Sequence, residues 1–188
     1  MIQKEEFMAN IALKGGVLGL KKGVEKMAAQ KAGYEDFIAA VSDKDKEFVN
    51  EVNACMLENG CKLEVKPAKA GYVAAYKFLK TKKSIANFVF RKKGLMIRIY
   101  GDGIKAYEHI MDELNDGMAA EVKKASPCKR LLDAAACSDK CVMGYDFMLK
   151  GERQQKCRYS GLMFTVCEQN NPHIMAIVRG ELEQRNLS

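Results

Sequence analysis

Tryptophan is absent from this 188-residue chain, and it holds only three prolines and two histidines. So little proline, with 48% hydrophobic and 29% charged residues, excludes a Pro-rich disordered chain and leaves enough apolar material for a core. The length falls between one large domain and two small ones. Two histidines leave little for His-based chemistry. His109 falls mid-helix on an expected exposed face and His173 in the first turn of the last expected helix, so both read as surface or capping residues. No run approaches the roughly 20 apolar residues of a membrane helix. Nor is a secretory leader legible, because Lys14, Gly15 and Gly16 interrupt the apolar stretch 11–20. The expected setting is cytoplasmic, away from membranes. Phosphate-loop motifs are also missing: Gly101-Asp102-Gly103 has neither a third glycine nor a following Lys-Ser/Thr, and reads as a strand-to-helix turn. No paired carboxylates stand at a spacing that would serve acid–base catalysis.

What is present reads as α+β. Leu20, Val24, Met27 and Ala28 recur at helical spacing behind a glycine-weakened start. A short helix follows over 34–41. Ser42 with Asp45 forms a capping-box variant ahead of the stripe Phe48, Val49, Val52, Cys55 and Met56, and Asn59-Gly60 supplies the stop. From Cys61 the period shortens to two. Strands are expected over 62–66, 72–78, 85–90 and 95–100, with short basic turns that favour antiparallel hairpins. Leu95, Ile97 and Ile99 share one face of the last of these, opposite Met96, Arg98 and Tyr100. Ile104, Tyr107, Ile110, Met111 and Leu114 predict one amphipathic helix, and Met118 and Val122 a short one after Gly117. Ser126-Pro127 predicts a helix with Pro at its first position. A strand over 145–149, a turn at 150–152, a strand over 156–166 and a helix capped by Asn171-Pro172 complete the chain. The expected architecture is an antiparallel sheet covered by helices, followed by a Cys-rich strand-turn-strand and final helix. Residues 1–125 form a helical N-terminus plus sheet domain, and residues 126–188 a Cys-rich region packed on the same domain.

The run YEDFIAAVSDKDKEFVNEVNACMLENG, with the strands ANFVF and GLMIRIYG, resembles YdhG-like domains of unknown function. These belong to the frataxin/YjbR-like group. The resemblance spans residues 34–100 and implies helices laid over an antiparallel sheet. It implies no functional residues, and the acidic ridge that frataxins use for iron has no counterpart in this basic segment.

Seven cysteines occur, and five of them fall between residues 128 and 167. An odd count in a reducing compartment fits a disulfide framework badly. Cys137-x3-Cys141 has the spacing of half a structural zinc site, with the polar loop Ser138-Asp139-Lys140 able to turn around an ion. Cys157 follows the hairpin and Cys128 precedes it, giving the expected ligand set Cys128, Cys137, Cys141 and Cys157, with Lys140 and Arg158 to offset thiolate charge. Four thiolates leave no open position, so such a zinc site is structural. Paired CxxC knuckles are missing. Buried thiols, or redox use of the same cysteines, are therefore the competing readings. Cys167 alternates with Met163 and Thr165 and reads as packing.

The net charge of +7 is concentrated between residues 62 and 105, where twelve Lys and Arg face two acids. Lys77, Lys82, Lys83, Arg91, Lys92, Lys93 and Arg98 are the candidate contacts to an anionic partner, nucleic acid foremost, with Tyr72, Tyr76, Phe88 and Phe90 interleaved. Solvated turns around an aromatic core explain the same pattern. The expectation is a non-enzymatic binding module with a structural zinc site and a basic face. The alternative is a thiol-dependent redox or small-molecule enzyme using the C-terminal cysteines.

Overall fold

The computed structural model describes residues 32–187. The expected helix around Leu20–Ala28 and the apolar stretch 11–20 lie outside the described residues. Helix α1 (Tyr34–Ala39) opens with the Asp36 carboxylate accepting from the Gly33 N–H at 2.8 Å. Helix α2 (Asp43–Glu58) buries Phe48, Val49, Val52 and Met56 and stops at Asn59 and Gly60, whose φ of +75° is the left-handed conformation that glycine adopts readily. The expected capping box does not form. Ser42 makes no side-chain cap bond, and Asp45 lies on the same helical face as Val49 and Val52, buried with them.

Strands β1 (Cys61–Ala68), β2 (Gly71–Phe78), β3 (Ser84–Arg91) and β4 (Gly94–Ile99) form an antiparallel meander in sequence order. Pro67 fits within β1 because β1 is an edge strand. The pairs Leu63–Tyr76, Ala74–Phe88 and Phe88–Ile97 put one alternating set on the inner face. That face meets α1, α2 and the last helix in one core containing Phe37, Tyr76, Phe88, Ile97 and Ile177. The aromatics interleaved with the basic residues therefore serve packing: Tyr76 and Phe88 are fully buried and stack edge to face. The outer face carries Lys62, Glu64, Lys66, Lys77, Asn87, Met96 and Arg98, none of them buried.

Beyond β4 the periodicity proves finer than expected. The predicted single helix from Ile104 divides into a 3₁₀ turn (Ile104–Tyr107) and α3 (Glu108–Asp112). Helix α4 (Asp116–Lys124) is capped by Asn115, which accepts from the Met118 N–H at 2.9 Å. Pro127 does not start a helix. It bridges Lys156 in β geometry, and the four-residue α5 (Lys129–Leu132) begins two positions later. Strands β5 (Tyr145–Leu149) and β6 (Glu152–Lys156) form a separate hairpin. The expected strand over 156–166 is interrupted, because Ser160 and Gly161 both donate to the Cys157 carbonyl in a turn. Pairing resumes in β7 (Met163–Thr165), which adds to the free edge of β4. Cys167 consequently lies beyond the strand, half-buried, with its N–H on Asn171 Oδ1 at 3.1 Å. Helix α6 (Asn171–Leu187) buries Ile174, Ile177, Val178 and Leu182 as its pattern predicts. Among the described residues no helix is long and apolar enough to cross a membrane.

A buried charge network locks α6 to the turn after β4. Glu181 is 0% exposed. Its carboxylate accepts from Gly103 N at 2.9 Å, Asp102 N at 3.2 Å, Tyr107 Oη at 2.8 Å and Arg185 Nε at 2.7 Å. Arg185 also reaches Asp102 Oδ2 at 2.5 Å, and Arg158 binds the other oxygen of Asp102. Two carboxylates and two guanidiniums balance, so each buried charge has a partner.

Candidate metal centre in the cysteine-rich segment

Backbone pairing determines where Cys128 and Cys157 stand. Cys128 N donates to the Gln155 carbonyl at 3.0 Å and Cys157 N to the Ser126 carbonyl at 2.9 Å, on either side of the Pro127–Lys156 bridge. The two cysteines thus sit on adjacent antiparallel segments, with Cys128 only 4% exposed. Gly144 closes against Cys128 and the Lys156 carbonyl and donates its N–H to Cys128 Sγ at 3.3 Å. A Cβ at Gly144 would stand 2.8 Å from that sulfur, so this approach requires glycine.

The Cys137–Cys141 loop is turned by the Cys141 N–H bond to the Ser138 carbonyl at 2.8 Å. Arg130, two residues beyond Cys128, ties it down by donating to the carbonyls of Cys141 and Asp139. A hydrogen bond with Cys137 is the main cause that pushes the Cys141 thiol up. Desolvation and the proximity of Cys137, Cys157 and Cys128 push it the same way. The Cys141 thiol thus lies within electrostatic reach of the other three expected ligands. As they stand, no group of three or more His, Cys, Asp or Glu side chains among the described residues is drawn together as a metal-holding cluster. These contacts disfavour ionisation of Cys141, whereas a divalent cation beside it would reverse the effect and hold it as a thiolate.

Of the cations expected to offset thiolate charge, Lys140 is solvent-exposed. Arg158 is engaged elsewhere, on Asp102 and over the rings of Tyr100 and Tyr145. Arg130 holds the loop instead. Neither Arg130 nor Gly144 was singled out by spacing, although a glycine directly before a strand so close to a cysteine is a readable signal. The remaining cysteines stand apart: burial, then the neighbouring Cys55, pushes the Cys61 thiol up to about 11.

The basic residues divide into groups. Lys82 and Lys83 are exposed in the β2–β3 turn, and Arg91, Lys92 and Lys93 are exposed around the β3–β4 turn. These turns lie at opposite ends of the eight-residue β3, roughly 25 Å apart at the rise of an extended chain. Between them on the outer face, Lys77 is paired with Glu64 at 2.8 Å. Arg98 donates to the Tyr159 carbonyl at 2.8 Å and lies over its ring, which is 59% exposed. No family model, curated protein or solved structure matches the chain.

Proposed function

We propose that the chain is a non-enzymatic cytosolic binding module whose Cys-rich segment is organised by one structural zinc ion on Cys128, Cys137, Cys141 and Cys157. The observation that carries this reading is the proximity of the Cys141 thiol to the other three, from three separate stretches of chain. Zinc is favoured because four soft thiolates suit it and reduced cysteines are available in that compartment. The ion would supply cross-linking that α5, only four residues long, and the irregular loop after it cannot supply by packing. A thiol enzyme is less well supported, since the same proximity raises the Cys141 thiol where a nucleophile needs it lowered.

The partner proposed for the module is an extended polyanion, nucleic acid foremost. Lys82 and Lys83 at one end of the sheet and Arg91, Lys92 and Lys93 at the other support a strand running along the outer face, with Arg98 and Tyr159 between them.

The test is metal content of untagged protein purified without chelator, paired with a native thiol count. About one zinc per chain, with four thiols protected until the metal is stripped, is expected. Metal-free protein whose four thiols react at once overturns the site. For the partner, affinity for single-stranded RNA and DNA should fall steeply with salt, and binding that ignores salt overturns it.

A further inference from the structure

A cleft of about 910 Å³ opens between the first half of α2 and the start of α6, away from the cysteine cluster. Its apolar surface includes Phe48 and Met175, 7% and 5% exposed. Beside Phe48 stands Asp45, 6% exposed, whose carboxylate has no hydrogen-bond or ion-pair partner among the described residues. Its oxygens are not fully sealed from solvent, so the carboxylate is reachable from the cleft, and a ligand that covered it without a counter-charge would bury it at a cost.

The charge around the cleft indicates what would arrive. Asp45, Glu47, Glu51 and Glu168 line it against Lys44 and Arg179, an excess of two negative charges. Arg179 is partly committed, with its guanidinium 3.5 Å from Glu51. The N-termini of α2 and α6 both open here, and each contributes about half a positive charge. They reduce the negative excess without cancelling it. An anion is therefore disfavoured, and a neutral apolar ligand would leave Asp45 buried and unpaired.

We propose that this cleft binds an organic cation, a primary amine on an apolar body, with the ammonium on Asp45 and the body against Phe48 and Met175. The site is independent of the metal centre and of the basic face, and goes beyond both.

The experiment titrates the full chain with hexylamine, hexan-1-ol and hexanoate and follows backbone amide shifts. Hexylamine should shift residues 44–51 and 167–179. Hexan-1-ol should bind about tenfold more weakly or worse, the scale of a charge-assisted hydrogen bond, and hexanoate weaker still. Asp45→Asn, which keeps the side chain's shape, should weaken hexylamine about tenfold while leaving hexan-1-ol unchanged. Equal binding of amine and alcohol, preference for hexanoate, shifts elsewhere, or unchanged binding to Asp45→Asn overturns the proposal. Should Asp45→Asn fail to fold by circular dichroism, the rim variant Glu168→Gln decides. A drop of about twofold or more in amine affinity upholds the proposal, and no change overturns it.

Discussion

Glu181→Gln is the substitution with the most definite expected cost. Both carboxylate oxygens accept only from donors: Asp102 N and Arg185 Nε on one, Gly103 N and Tyr107 Oη on the other. Glutamine fits the volume, but whichever way its amide is turned, the NH₂ must face two of those donors. Each lost bond to a charged acceptor costs about 1.5–3 kcal/mol, and breaking one partner of a buried pair costs about 3–5 kcal/mol, so a loss near 4 kcal/mol is expected. For a chain of this size that corresponds to a fall in Tm of about 10 °C. Urea unfolding monitored by far-UV circular dichroism measures it. Tyr107→Phe, which removes one donor, should cost about 1.5–3 kcal/mol, and exposed Glu183→Gln should stay within about 0.5 kcal/mol. Parent-like stability of Glu181→Gln, within about 1 kcal/mol, would refute the account of Glu181 as a fully engaged carboxylate.

Other consequences can be measured directly. Burial alone would raise the Asp102 carboxyl, but the hydrogen bonds and charges of Arg158 and Arg185 outweigh it and hold the group below its usual range. The stability this contributes is fully present above the unfolded pKa of about 3.9 and is lost as pH falls through the lower folded value, so acid unfolding should flatten in Asp102→Asn. Gly144→Ala places a methyl against Cys128 and the Lys156 carbonyl, and should lower both Tm and zinc retention, whereas Gly151→Ala, with open space around its Cβ, should lower Tm only through its positive φ and leave zinc retention alone. Cys61, buried and pushed up to about 11, should be among the slowest thiols to react with a maleimide at pH 8 in native protein. Cys141→Ser should release zinc without unfolding the main sheet, read by metal content against far-UV circular dichroism.

The strands of the meander were legible because apolar segments are bounded by short polar turns, even though β3 is buried on both faces at Ile85, Ala86, Phe88 and Val89 and the β2–β3 register shifts at Tyr76–Lys77. Leu95, Ile97 and Ile99 do face the core, with Met96 and Arg98 opposite. Where local pattern met a tertiary competitor, the competitor won. Pro127 looked like a helix start, but Cys128 N and Cys157 N pair across to the neighbouring segment and hold Pro127 extended. Asp45 looked like a cap, yet its helical position turns it toward the core. Spacing grouped the four cysteines, and in the fold Cys141 senses the other three, but no cluster of three or more potential metal ligands forms among the described residues. The Asp102–Arg158–Glu181–Arg185 network could not be grouped by spacing, because its members are up to 83 residues apart and no periodic pattern joins them. The basic residues formed one cluster in sequence only because consecutive hairpin turns alternate between the two ends of a meander.

The pairing of β7 with β4 also bears on biosynthesis. Met96–Arg98 waits for Met163–Thr165, about 65 residues later, which at ordinary elongation rates is roughly 3–13 s. During that interval the nascent sheet exposes the hydrogen-bonding edge of Gly94–Ile99, a strand carrying Leu95, Ile97 and Ile99. Arg98 is the only charge along that edge, and in the finished fold it is occupied by Tyr159, which is itself made late. Slow translation through the cysteine-rich segment should therefore favour aggregation of this chain, and chaperone demand should fall once Met163–Thr165 is free to pair with β4.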